Sequence, residues 1–172
     1  MRIIGVDPGL ADTGYGVIEE SGGALRVIEY SCISTPKEMP FPDRLRAIYD
    51  EFSGALAEWK PEACAVEALY FAKNAKSAFQ VGHARGVLIM CASLIGVPVY
   101  EYTPIQVKQA LVGVGRAEKS QIQYMVKMLL KLEEPPQPEH AADALAVAIC
   151  HANSSRMRAL TGDERMVYRR RR

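Results

Sequence analysis

Apolar and polar positions alternate along the chain with two different periods, and the switches between them mark the elements. Ile3, Ile4 and Val6 read as a buried strand that runs into Asp7 and then turns at Pro8-Gly9. GYGVIE (14–19) and LRVIEYSCIS (25–34) read as two more strands, joined by Ser21-Gly22-Gly23, a hairpin-type turn. From Pro40 to Trp59 the period becomes helical, with Leu45, Ile48, Tyr49, Phe52, Leu56 and Trp59 forming one apolar stripe for the core. Pro61 stops that helix. EACAVE (62–67) is short and apolar and again ends on a carboxylate. An Ala- and Gly-rich helix is expected over 75–95 and a strand over VPVYEY (97–102). A short helix then opens with Thr103 as N-cap and Pro104 in its first turn. Gly113-Val114-Gly115 reads as a loop, 118–132 as a helix, EEPPQP (133–138) as a break, and 139 to about 153 as an Ala-rich final helix.

The order β-β-β-α-β-α-β-α-α-α defines an α/β chain. It predicts a mixed five-stranded sheet, an antiparallel meander plus parallel strands, flanked by helices. There is no internal repeat and no second domain. One domain over residues 1–155 and a basic, disordered tail over 156–172, ending in four arginines, are the expected organisation.

Composition adds little to this; charge distribution adds more. The 172 residues are 49% hydrophobic and 24% charged, which suits one compact core, and the formal net charge is only +1. Between Asp43 and Glu67 there are 6 acids against 3 bases. Between Lys73 and Lys131, eight Lys and Arg face only Glu101 and Glu118. That basic half fits either a surface for a polyanion or ordinary solvated helix faces. The four cysteines, at 32, 64, 91 and 150, form no CxxC pair or zinc-like spacing, and Cys64, Cys91 and Cys150 lie in apolar runs as core residues. No signal-like segment precedes the first strand and no apolar run reaches 18 residues, so a reducing cytoplasm is the expected compartment, with no membrane contact.

The chemistry lies in the carboxylates. A charge at the edge of a core is costly unless it is paired, hydrated or bound to a metal. If the strands ending at Asp7 and Glu67 are parallel neighbours, both acids emerge at one end of the sheet, where α/β ligands bind. His140 and Asp143, at i and i+3, share one face at the start of the last helix. Asp7, Glu67 and Asp143 packed together would repel one another unless a divalent cation neutralised them. Carboxylate oxygens suit Mg²⁺ or Mn²⁺, and a pair of such ions can activate a water and stabilise the leaving oxygen in phosphodiester hydrolysis. His140 would then be a metal ligand or a proton-transfer group. Singly, each residue also fits a plainer role: Asp7 a turn residue, Asp143 a partner of the helix dipole, His140 a surface side chain.

The stretches IIGVDPGLADTGYGVIE, RLRAIYDE, AVEALYFAKNAKSA, GHARGVLIMCAS, VYEYTPIQVKQALVGVGRAEKSQIQYMVKMLLKL and HAADALAVAICHA closely resemble the RuvC family of bacterial Holliday junction resolvases, in the RNase H-like superfamily. They cover residues 2 to about 152. The resemblance implies an RNase H-like fold and a homodimeric, metal-dependent endonuclease. Such an enzyme resolves four-way DNA junctions by paired symmetric cuts, in recombination and repair, in partnership with a branch-migration motor. It carries Asp7, Glu67 and Asp143 over as metal-binding catalytic carboxylates, with His140 at the fourth acidic position, where many members have Asp and others His.

The same comparison orders the DNA-facing candidates. Tyr70 and Phe71, with Lys73, Asn74 and Lys76 nearby, look like a base-stacking wedge with phosphate contacts, or else core and cap rings. The family places a stacking aromatic at the position of Tyr70. Lys108 and Lys119 match family lysines near the active site and could stabilise charge at the scissile phosphate. Lys119 sits at a helix start, where a cation opposes the dipole yet free N–H groups favour phosphate. Arg85 and Arg116 are further phosphate candidates, and Lys127 and Lys131 an exposed face. Gly82 and Gly86, one turn apart, suit close helix packing, in a dimer or on the chain's own sheet.

Three rivals remain at this stage. DPGLADTGYG also resembles the phosphate loop of sugar kinases and actin-like ATPases, but the chain has neither the second loop nor the length for the second domain. A junction binder that does not cut would have no use for the acidic set. A related nuclease for RNA or flaps fits the paired aromatics less well.

Overall fold

A computed structural model of the chain describes residues 1–68 and 75–161. Three strands open it: β1 (Arg2–Asp7), β2 (Asp12–Ser21) and β3 (Ala24–Ser34). Then follow α1 (Phe41–Trp59), β4 (Ala63–Glu67), α2 (Ala75–Leu94), β5 (Val99–Tyr102), α3 (Pro104–Val112), α4 (Lys119–Leu130) and α5 (Glu139–Thr161). The five strands form one sheet in the order β3-β2-β1-β4-β5, antiparallel across β3-β2-β1 and parallel across β1-β4-β5. This is the expected meander plus parallel strands. Gly22 and Gly23 both take positive φ in the β2–β3 turn, which glycine adopts without Cβ strain.

Strand alternation divides the core in two. Ile4, Val6, Val17, Cys64, Val66 and Val99 face α1 and α2, packing with Ile48, Phe52, Leu56 and Leu88. Ile3, Ile18, Ala65 and Tyr102 face the other way, onto α3, α4 and α5. Each fully buried side chain of the Phe52 or Ile48 type contributes about 1.5–3 kcal/mol. From Ala144 to Ala152 every residue of α5 is buried, as a helix held between a sheet and other helices must be.

The sheet admits α5 because its floor lacks side chains. Gly5 pairs with Gly16, and Asp7 with Gly14, across β1 and β2. A Cβ on Gly5 would stand 2.7 Å from Ala148 N, one on Gly14 2.8 Å from Ala141 N, and one on Gly16 2.6 Å from Leu145 Cδ2. The helix backbone rests directly on these strands, and this contact sets the height of its first turn.

Two expectations change in detail. Tyr49, assigned to the α1 core stripe, is 38% exposed, and Ala55 is buried in that helix instead. A stripe read at helical spacing widens by one position at its edge, and an amphipathic tyrosine sits there readily. The last helix runs to Thr161 rather than Asn153, because no Gly or Pro stands between them to stop it. Cys64, Cys91 and Cys150 are buried thiols as expected, and complete burial pushes Cys64 up to about 12. Among the described residues, no helix is long and apolar enough to cross a membrane.

Candidate active site

Alternation decides where the strand-end acids point. Ile3 and Gly5 face α5, so Asp7, two residues on, faces α5 as well. Ala65 faces α5, and so does Glu67. The parallel register matches Val6 with Val66, which places Asp7 and Glu67 side by side as the next residues of adjoining strands. Glu67 pairs with Tyr102 of β5, and the Ala68 N–H donates to the Tyr102 carbonyl at 2.9 Å, so the chain is held one residue beyond the acid.

The turn after Asp7 is clamped by side chains. Thr13 Oγ1 donates to the Gly9 carbonyl and Thr35 Oγ1 to the Leu10 carbonyl, each at 2.5 Å. Arg44 Nε donates to Thr35 Oγ1 at 2.8 Å and its terminal nitrogen to the Thr35 carbonyl at 3.1 Å, so α1 braces the same loop. Pro8-Gly9 thus opens a fixed turn, and the carboxylate before it has one backbone position.

The first turn of α5 supplies the opposite wall. His140 Nδ1 lies 2.7 Å from Asp7 Oδ2. Lys119, the first residue of α4, places Nζ 2.8 Å from Asp143 Oδ2 and also bonds Glu139. Glu67, Lys108, Lys119 and Asp143 line a cleft of about 190 Å³ together with Val107 and Ile122. The site therefore has a carboxylate floor, two lysines on one side and an imidazole half open to solvent.

Its electrostatics are those of an acid cluster short of positive charge. Burial, then the charges of Asp7 and Asp143, push the Glu67 carboxyl up to about 7. Burial also raises Asp7; its bond to His140 opposes this and the charge of Asp143 adds to it. Burial alone would lower His140, but its bond to Asp7 and the charges of Asp7, Asp12 and Asp143 raise it on balance. Lys119 behaves alike: burial lowers it, and Asp143 and Glu139 more than compensate. Hard carboxylate oxygens and one imidazole nitrogen form a donor set that fits Mg²⁺ or Mn²⁺. Among the described residues no three donors already stand as a ready ligand shell, since Asp143 is drawn to Lys119 and Asp7 to His140.

Of the residues singled out from sequence, the fold brings Asp7, Glu67, His140, Asp143, Lys108 and Lys119 together. Arg116 is exposed in the loop before α4. Arg85 is a correction: its mostly buried guanidinium is paired with Glu101 of β5, and a guanidinium so enclosed is not a free phosphate contact. Tyr70, Phe71, Lys73 and Asn74 lie outside the described residues, as does the side chain of Lys76. Sequence reasoning missed Glu139, whose signal was its i, i+4 spacing to Asp143, and the Gly5-Gly14-Gly16 floor.

A mixed 3-2-1-4-5 sheet with a helix laid over acids at its central strand ends places the chain in the RNase H-like fold class. The particular lineage follows from comparison. The family model for crossover junction endodeoxyribonuclease RuvC matches residues 3–151. A curated relative of that description from Ruminiclostridium cellulolyticum is 50% identical over 165 residues, 96% of this chain and 99% of its own. Thermus thermophilus RuvC in complex with Holliday junction substrate superposes with a TM-score of 0.88 at 40% identity, over 91% of this chain and 96% of that one. The yeast mitochondrial Holliday junction resolvase shares the fold alone, with a TM-score of 0.64 at 10% identity. The chain belongs to the RuvC family, which sets aside the kinase-like reading of its first loop.

Proposed function

We propose that this chain resolves four-way DNA junctions by hydrolysing one phosphodiester at the pocket between β1, β4 and α5. Two copies make the paired symmetric cuts, and Asp7, Glu67, Asp143 and His140 hold the divalent ions. As a RuvC-family member the chain is a crossover junction endodeoxyribonuclease, a hydrolase acting on DNA. The observation that carries the site is the convergence of Asp7 and Glu67, from adjoining parallel strands, on the face covered by the first turn of α5. Family membership supports divalent-metal dependence. Mg²⁺ or Mn²⁺, two per site, is our reading from the number and hardness of the donors.

Bound there, such ions supply an activated water and charge stabilisation at the attacking and leaving oxygens. The protein's part is placement. The clamped turn fixes the Asp7 carboxylate, and the pairing of β4 with β5 fixes Glu67. Asp7 engages His140 Nδ1 and so orients the ring, leaving Nε2 as the nitrogen for a cation or for a proton carried to and from solvent. Lys108 and Lys119, on the cleft wall, face charge developing on the scissile phosphate. Arg116 and Lys76 extend the phosphate contacts. Tyr70 follows Glu67 by three positions, and we read it as the aromatic that stacks on bases near the junction centre, with Phe71, Lys73 and Asn74 beside it.

A homodimer is supported by the outer face of α2. Phe79, Met90 and Leu94 are 71%, 48% and 62% exposed, and with His83 and Gly86 they form one stripe at helical spacing. Among the described residues a Cβ on Gly86 would meet nothing within 4 Å, which leaves room on that face for a second helix. Partnership with a branch-migration motor and a bacterial cytoplasmic location complete the reading. The test is cleavage of a synthetic four-way junction against linear duplex in Mg²⁺, Mn²⁺ or EDTA. Paired nicks confined to the junction with metal are expected; equal cutting of duplex, or cutting in EDTA, would refute it.

A further inference from the structure

Lys119 and Glu139 are the first residues of α4 and α5, and they meet over the cleft. The Lys119 ammonium stands 2.8 Å from Asp143 and is bonded to Glu139. Glu139 and Asp143 lie at i and i+4, so the ammonium bridges two carboxylates one turn apart on one helix face. Such a bridge is needed because a cation at a helix N-terminus opposes the dipole and would otherwise extend into solvent. Glu139 itself suits its place at the head of α5. It touches Lys119 yet does not line the cleft, whose charged residues are Glu67, Lys108, Lys119 and Asp143.

We propose that Glu139 is a positioning residue for cleavage, a tether that keeps Lys119 at the rim of the cleft when a cation draws Asp143 away. This rests on Asp143 being a cation ligand. Lys119 occupies an Asp143 oxygen and would compete for it with an incoming ion. Glu139 weakens that competition by sharing the ammonium. Once Asp143 turns to the ion, Glu139 is the partner that remains, and it holds the charge of Lys119 beside the scissile phosphate rather than letting it swing into solvent. A plain acid so near DNA would act with the opposite sign, since removing it would lessen repulsion of the substrate.

The experiment uses the full chain as parent, Glu139→Gln, Lys119→Met and the double variant. It measures single-turnover cleavage of a four-way junction at saturating Mn²⁺, junction affinity in EDTA, and the Mn²⁺ concentration at half of the thermal shift without DNA. For Glu139→Gln we expect about fivefold slower cleavage and a half-saturation raised about two- to fivefold, the scale of an exposed ion pair, with junction affinity equal or tighter. Both losses vanish in the Lys119→Met background, because the two residues act as one unit. Cleavage by Glu139→Gln at or above the parent rate, or a loss that persists without Lys119, overturns the proposal. Asp143→Asn separates the two levels. If it still cleaves and shifts with Mn²⁺, the reading of the site fails. If it loses both while Glu139→Gln matches the parent, only the tether fails.

Discussion

His140 Nδ1 stands 2.7 Å from Asp7 Oδ2, a contact between residues 133 positions apart that closes the head of α5 onto the end of β1. The pair holds the imidazole at the pocket with one nitrogen committed. His140→Ala is expected to slow junction cleavage about a hundredfold at saturating Mn²⁺, the scale of a positioned acid–base group, with junction binding retained. His140→Asp, which puts a carboxylate donor in place of the imidazole, should keep much of the rate that alanine loses. Single-turnover kinetics decide it: an alanine variant that cuts as fast as the parent removes His140 from the chemistry.

Glu67 and Asp7 are half-buried acids held at neighbouring strand ends, so the fold carries their repulsion and desolvation. Glu67→Gln is expected to raise the metal-free melting midpoint by about 2–4 °C, the scale of roughly 1 kcal/mol in a chain of this length. Mn²⁺ should stabilise the parent and leave the variant nearly unmoved. Thermal scans with and without the ion test both halves, and an equal Mn²⁺ shift in the two proteins would count against Glu67 as a ligand.

Gly14 lies under the first turn of α5. A methyl group there would press on the backbone of His140 and Ala141. Gly14→Ala is expected to cost about 1–3 kcal/mol, as overpacking does, and to lower cleavage by lifting the helix that carries His140 and Asp143. Gly54, in the exposed middle of α1, has nothing within 4 Å of its would-be Cβ. Gly54→Ala should stabilise the fold by about 0.5–1 kcal/mol with activity unchanged. Urea unfolding of the two variants in parallel gives the comparison.

The apolar stripe on α2 predicts the assembly state. Met90→Lys with Leu94→Glu places two charges on a face that a second copy would bury. The variant is expected to run as a monomer in light scattering at micromolar concentration, while the parent runs as a dimer. A dimeric variant with unchanged dissociation would move the interface elsewhere.

Much of this fold is written in short-range pattern. The switch from period 2 to period 3.6 at Pro40, the Thr103-Pro104 start of α3 and the glycine turn at 22–23 are local events, and the structure keeps each of them. Asp7 and Glu67 were legible for the same reason: each terminates an apolar run, and alternation aims both at one face. Pairings that close over long separations were not. Arg85 counts as a basic residue in any charge profile, and only the packing of α2 beside β5 turns it inward to Glu101. Glu139 looks like an ordinary helix-capping acid until α4 brings Lys119 to it. The glycine floor was hidden because Gly5, Gly14 and Gly16 lie inside stretches read as strands and carry no side chain to mark a face. Their use appears only when a helix backbone lies on them.

The central claim is that Asp7 ends its strand in order to hold a cation for strand cleavage. It is tested most directly by Asp7→Asn beside the parent, on a four-way junction with Mg²⁺ or Mn²⁺, measuring binding and cutting on the same samples. The variant is expected to bind the junction as well as the parent or better, and to lose at least about a thousandfold in cleavage, the scale of removing a central electrostatic group. Symmetric metal-dependent nicks persisting in Asp7→Asn at the parent rate would contradict the account and leave Asp7 a turn residue.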